Sequence, residues 1–344
     1  MSDSKKNITY FSRRYITNHG GGEECDKYIV DRIGEIFNVT LISENKSKPV
    51  VQAFNRNLIN KIYEEIGELS FLIKNIRYFI NSNYIFITGR SLSAAFMALF
   101  FGRRIIYNIH GLTNSYAYKI MAIFGVRFIF WGVSARMNSK LKIINSNKIY
   151  KDFIPASELL LNNDLILRNY DRKNSVKLLW VGRMEPIKDP FFLIDTLVEL
   201  NLIYENWTID IIGSGSIYDL INQKLKQLSG DINKKITLHG QIRNSLLDNY
   251  YIKSDILVIT SLTENFSITA LEALKYKLKV ISVPIINYQY SILKDYINSS
   301  EDRTPKSLAE LIKNSITLST VHDFESSKLK DVYNSQIIKI INWL

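Results

Sequence analysis

The stretch 261-SLTENFSITALEAL-274 decides how this chain is read, because it joins a strand to a helix and sets two carboxylates, Glu264 and Glu272, eight positions apart. Upstream, 255-DILVITS-261 is an apolar, β-branched run of the kind buried in a parallel sheet. Downstream, 267-SITALEALKYK-277 carries helical spacing. Glu264 then lies on the loop beyond a strand's carboxyl end. Open α/β sheets bind ligands there, and the next helix offers unpaired N–H groups and a partial positive charge. Glu272 falls about five residues into the helix, roughly 7 to 8 Å from its first amides. An anion at the helix start, with a carboxylate on either side accepting sugar hydroxyls, fits this spacing, and so does a pair of solvated glutamates.

The same alternation of strand and helix extends through the chain. In the first half the strand candidates are NITYFS, NVTLIS, YIFITG, RRIIYNIH and RFIFWGVS, with helical spacing at residues 23–36, 55–82, 91–101 and 114–124. The pattern breaks at the polar stretch 169-NYDRKNSVK-177. It restarts with VKLLWVG, WTIDIIG, KITLHG, DILVITS and LKVISVP. This predicts an α/β fold of two Rossmann-like, doubly wound domains facing across a cleft: residues 1–170, residues 171–320, and a helical tail over 321–344 that can return to the first domain. At 344 residues and 46% hydrophobic content, both cores can be filled and a disordered chain is excluded.

Other classes fall away on composition. Cys25 is the single cysteine, and the four histidines, His19, His110, His239 and His322, have no zinc-ligand spacing. A reducing cytoplasm is expected. The opening MSDSKKNITYFSRRY lacks a signal peptide's apolar core, and 120-IMAIFGVRFIFWGV-133 is short and interrupted by Arg127, so no membrane span is expected. Residues 1–150 hold 21 Lys and Arg against 10 Asp and Glu, and residues 101–150 hold eight basic side chains and no acidic one. Such a one-sided field suits an anionic partner, whether nucleic acid, anionic lipid or phosphorylated substrate, or only a soluble basic surface.

At the first strand of the second half, 178-LLWVGRMEPIKD-189 places Arg183 and Lys188 just past the sheet's carboxyl end. Converging on the helix near Ser267, they suit a diphosphate; alone, they would be solvated surface charges. In 211-IIGSGS-216, Gly213 and Gly215 follow a strand without the full dinucleotide fingerprint, which reads equally as a ligand loop or a tight turn.

The array VGRMEPIK, IIGSGS and LHGQIRNSLLDNYYIKSDILVITSLTENFSITALEAL resembles the donor-binding domain of retaining GT-B glycosyltransferases, particularly family 4, the glycosyl transferases group 1. The likeness covers residues 176–284 well, and HGGGEECDKYIVDRIGEIFNVTLIS extends it more weakly into the first half. It implies a nucleotide-diphosphate sugar as donor, UDP-sugar by default, with no cofactor and no metal. Arg183 and Lys188 would bind the diphosphate and stabilise charge on the departing nucleotide. Glu272 would take the ribose hydroxyls and Glu264 the donor sugar's. The amides of Phe266, Ser267 and Ile268 would face the phosphates, with Gly240 to Arg243 near the base. Gly21 and Gly22 would let the backbone approach phosphates or acceptor, and His110 would line the sugar site, although a strand-ending histidine is also an ordinary structural residue.

Departures fall in donor-contacting segments: Asn265 and Ser267 stand where glycines are frequent, Lys277 and Lys279 replace the usual glycine and proline, and IINYQYS after Pro284 lacks a glycine pair. The residues therefore fix neither base nor sugar. The implied acceptor is a glycan or lipid-linked glycan in bacterial surface polysaccharide synthesis. Residues 54–82 mix aromatic, apolar and basic positions and suit either a helix lying on the inner membrane face or one packed on its sheet. A nucleotide-sugar epimerase of the same fold is the alternative enzyme. A nucleic-acid-binding protein would explain the charge alone, so no nucleic acid is expected.

Overall fold

Each apolar run read as a strand forms one, and the strands assemble into two sheets. The computed structural model describes residues 6–12, 21–43, 50–53, 61–62, 72–88, 91–109, 117–131, 149–154, 175–264, 266–286, 293–317 and 326–344. They divide into two units, Met1–Glu158 with Lys330–Leu344, and Leu159–Leu329.

The first unit is built on β1 (Asn7–Ser12), β2 (Asn38–Ser43), β3 (Val50–Ala53), β4 (Lys61–Ile62), β5 (Tyr84–Thr88), β6 (Arg104–Ile109), β7 (Arg127–Trp131) and β8 (Ile149–Phe153), in the order β4-β3-β2-β1-β5-β6-β7-β8. All neighbours are parallel except β2–β3 and β3–β4. Strands β1, β5 and β6 are buried along nearly their whole length, as a sheet covered on both faces requires. The long helix expected over residues 55–82 is not present as one element: Lys61–Ile62 is an edge strand, and the described helix is Ile76–Asn81, whose Phe79 is fully buried. Among the described residues, the apolar spacing there serves a two-residue antiparallel extension and a packed helix. The rest of that stretch, and the linker at 169–174, lie outside the described residues.

At the centre of this unit Asp26, in the helix Gly21–Gly34, accepts hydrogen bonds from Tyr10 Oη (2.9 Å), Thr88 Oγ1 (3.0 Å) and Asn108 Nδ2 (3.2 Å). A buried carboxylate is tolerable because donors from three strands satisfy it. The last helix, Ser326–Trp343, packs on this unit through Tyr333 against Tyr28 and Phe153 and through Gln336, whose Oε1 accepts from Ile154 N.

The second unit contains β9 (Val176–Val181), β10 (Trp207–Ile212), β11 (Ile236–Gly240), β12 (Ile256–Ile259), β13 (Lys279–Ser282) and β14 (Ile297–Ser299), all parallel, in the order β11-β10-β9-β12-β13-β14. In chain order that is 3-2-1-4-5-6, the doubly wound pattern. Its topological switch point lies between β9 and β12.

Candidate functional site

The loops leaving β9 and β12 are laced together at that switch point. Trp180 Nε1 donates to Thr260 Oγ1 (3.0 Å), and Thr260 Oγ1 donates to the carbonyl of Lys188 (2.8 Å). Arg303 donates to the carbonyls of Thr260 (2.8 Å) and Ser261 (3.1 Å) and to Asp189 Oδ2 (2.8 Å), with its guanidinium over the Phe192 ring. Asp189, at φ 47°, caps the helix Pro190–Ile203 through Phe192 N. The chain thus makes a left-handed turn immediately after Lys188 and aims it at the β12 loop.

Lys188 Nζ meets Glu264 Oε1 at 2.5 Å, and Ser261 Oγ donates to the same oxygen at 2.6 Å. Glu264 is buried, with a side chain 10% exposed, and Lys188 is 25% exposed. Burying a charge is unfavourable unless it is paired and hydrogen-bonded, and both conditions are met. Lys188, Thr260, Ser261, Glu264 and Thr269 line one small recess beneath the start of the helix Ile268–Lys275. Ser267 is that helix's N-cap: its Oγ accepts from Ala270 N at 3.2 Å. Ile268 is the first helical residue, and Phe266 precedes the cap half-exposed.

Glu272 is also buried and does not line the recess; Tyr251 Oη donates to its Oε2 at 2.9 Å. Tyr251 stacks on Tyr276, and burial, then the Glu272 charge, push its hydroxyl well above the ordinary pKa. Arg183 is exposed and does not line the recess. Its loop is anchored by Glu185, which accepts from Ser216 N (3.1 Å) and Ser216 Oγ (2.6 Å); those bonds hold its carboxyl below the ordinary range. At Lys277, where the resemblance anticipates glycine, φ is 57°, the left-handed residue that closes this helix.

Of the other site candidates, Gly213 is occupied with packing: a Cβ there would lie 1.8 Å from the carbonyl oxygen of Gly182. Gly21 and Gly22 open the helix Gly21–Gly34. His110 lies outside the described residues. Arg243 lines a different feature, a groove of about 780 Å³ with Lys177, Asp210, His239, Tyr250 and Lys253. There Asp210 is held by Lys177 Nζ and His239 Nε2, each at 2.6 Å. Burial alone would raise the pKa of Asp210; the hydrogen bonds and charges of Lys177 and His239 outweigh it and lower the value. A depressed carboxylate stabilises the fold above its unfolded pKa and loses that contribution as pH falls through the folded value. Asp210→Asn should therefore flatten the acid limb of a stability profile below about pH 4 while keeping its shape at neutral pH, read by urea midpoints across pH.

The sequence reading missed Trp180, Tyr251, Thr260 and Arg303. The positions of Trp180 and Thr260 inside strand runs read only as core, and Arg303 sits in a loop 114 residues from its partner Asp189.

A parallel 3-2-1-4-5-6 sheet, with a cation and carboxylate locked at its switch point beside a helix N-terminus, defines the second unit as a Rossmann-like domain. Residues 175–317 match the family model for Glycosyl transferases group 1. A Klebsiella pneumoniae protein described as an uncharacterized 41.2 kDa protein in the cps region is 24% identical over 174 residues, which is 51% of this chain and 40% of that protein. The chain thus matches about two-fifths of the length of that relative. Among solved structures, a glycosyltransferase from Rickettsia africae is 15% identical with a TM-score of 0.68, covering 97% of this chain and 94% of its own. Anabaena Alr3699/HepE, in complex with UDP and glucose, is 12% identical with a TM-score of 0.67 over 98% and 100%. The lipopolysaccharide outer core galactosyltransferase WaaB is 16% identical with a TM-score of 0.64 over 98% and 100%. At these identities the likeness establishes the fold, two parallel-sheet Rossmann-like domains of the GT-B class. Among the described residues, no helix is long and apolar enough to cross a membrane.

Proposed function

We propose that this chain is a retaining, metal-independent glycosyltransferase that moves a sugar from a nucleotide-diphosphate donor to a glycan or lipid-linked glycan in surface polysaccharide synthesis. The observation that carries the reading is the Lys188–Glu264 pair at the β9/β12 switch point, beside the helix that begins at Ile268. Lys188 is fixed through its own carbonyl and its ammonium, so it supplies a preorganised charge for a leaving diphosphate. Arg183 supplies the exposed partner. Because Ser267 takes Ala270 N, the amides of Ile268 and Thr269 are the ones this reading gives to phosphate oxygens. Glu264 turns to the donor sugar and Glu272 to the ribose, with Tyr251 holding Glu272 in place. The acceptor falls to the first unit, with Gly21, Gly22 and His110. A cps-region relative and the UDP complex of HepE support the polysaccharide setting and a UDP-sugar donor.

Thermal denaturation with UDP, GDP, ADP and CMP tests the donor site. One diphosphate nucleotide should raise the melting temperature, since ligand at a hundredfold its Kd adds about 2.7 kcal/mol. Product analysis with sugars of that nucleotide should then show transfer with retained anomeric configuration. Four flat responses at millimolar ligand would refute the reading.

A further inference from the structure

We propose that the first unit docks on an anionic lipid surface through two matching turns, 99-LFFGRR-104 and 122-AIFGVR-127. The first ends the helix Leu92–Phe100 and leads into β6; the second ends the helix Ala117–Ile123 and leads into β7. Their backbones close alike. Phe101 N bonds Met97 O, Gly102 N bonds Leu99 O and Arg103 N bonds Ala98 O; Phe124 N bonds Ile120 O, Gly125 N bonds Ala122 O and Val126 N bonds Met121 O. Both glycines are left-handed, at φ 61° and 87°, as a helix-ending turn of this type requires.

The two turns are neighbours. Strands β5, β6 and β7 lie in sequence across the sheet, so right-handed crossovers put both helices on the same face. Their inner residues Ala94, Ala95, Ala98, Met121 and Ala122 share one core cluster. Both turns therefore sit at the amino edge of the sheet, and what they hold outward is apolar: Phe100 is 83% exposed, Ile123 78% and Phe124 66%. Phe96 and Ile120, one turn back on the same helices, are about half-exposed.

Cations surround these tips and are held in place. Arg103 donates to Ser82 O, Arg104 to Tyr84 Oη with its guanidinium over that ring, and Arg127 to Trp343 O with its guanidinium over the indole. Lys6 also lies over the Tyr84 ring. No acidic residue occurs between positions 101 and 150.

Apolar tips ringed by fixed cations match a bilayer of anionic lipid, where side chains such as Phe100 enter the acyl boundary and guanidinium groups meet phosphates. A second copy of the chain would bring the same cluster of positive charge against itself. Nucleic acid would satisfy the charge and leave the apolar tips unused. The apolar tips lie outside the segment 54–82 considered on sequence grounds, whose last residue, Ser82, holds Arg103, and no residue of the tips belongs to the donor site.

Flotation of the full chain with phosphatidylcholine vesicles, with and without phosphatidylglycerol, at low salt tests the assignment. The chain should float with the anionic vesicles alone, and added salt should release it. Phe100→Ser combined with Phe124→Ser should lower the bound fraction about tenfold, and Arg104→Glu should weaken it further, with melting temperature and nucleotide response unchanged. Failure to float on anionic vesicles overturns the proposal, as does undiminished flotation of the Phe100/Phe124 variant. Self-association in sedimentation that the same variant abolishes would also overturn it, by assigning the tips to a protein contact.

Discussion

Gly213→Ala is expected to destabilise the second unit by about 3 to 5 kcal/mol, at the upper end of what single substitutions do. Two independent reasons combine. The residue has φ 142°, which L side chains rarely adopt, and its Cβ would stand 1.8 Å from Gly182 O and 2.9 Å from Gly182 C. Neither neighbour can yield, because Gly182 N bonds Ile212 O and Gly213 N bonds Gly240 O, tying three strand ends together. Gly215 is similarly placed, its Cβ position 2.4 Å from Met184 O. These contacts seat the loop that carries Arg183 and Glu185, so the variant should also blunt any nucleotide response. Gly230→Ala is the control: nothing lies within 4 Å of its Cβ, and the change should stay within about 1 kcal/mol. Urea midpoints read both. A Gly213→Ala protein that unfolds with the parent would show that the strand ends are not packed this way.

This explains which parts of the molecule were legible in the sequence. Strands β9, β10, β12 and β13 were readable because they are mostly apolar runs whose consecutive buried residues face both sides of the sheet, and burial leaves little choice of residue. Three short strands at or next to an edge were not: β14 is Ile297–Ser299, with two exposed residues, and β3 and β4 together hold only Val50–Ala53 and Lys61–Ile62. Short edge strands bury too little to impose a period. Glu264 and Lys188 were legible because each follows a recognisable strand at a fixed offset. Tyr251 and Arg303 were not, since their significance comes from Glu272, Thr260, Ser261 and Asp189, reached only after the chain folds back. The glycines of IIGSGS were visible, but the reason for Gly213 was a backbone 31 residues earlier, at Gly182.

Lys188→Ala is expected to remove the nucleotide response and to lower intrinsic stability together, and a second substitution should separate the two losses. The carboxylate of Glu264 is 10% exposed, and Lys188 is its ion-pair partner at 2.5 Å. Deleting the ammonium weakens the compensation of a buried charge, a loss of about 2 kcal/mol when discounted for the partial exposure of the pair. Glu264→Gln in the Lys188→Ala background removes that charge while an amide oxygen still accepts from Ser261, so most of the stability should return. The nucleotide response should not return, because the cation that faces the diphosphate is still missing. Arg183→Ala gives the complementary pattern: its exposed side chain carries little stability, so melting should change by well under about 1 kcal/mol while the nucleotide response falls. In turnover, loss of either cation should lower kcat by about a hundredfold to a thousandfold, the scale for removing one preorganised group from a developing negative charge. If Lys188→Ala keeps the full nucleotide-induced shift, Lys188 serves only to neutralise Glu264 and the diphosphate must be held elsewhere.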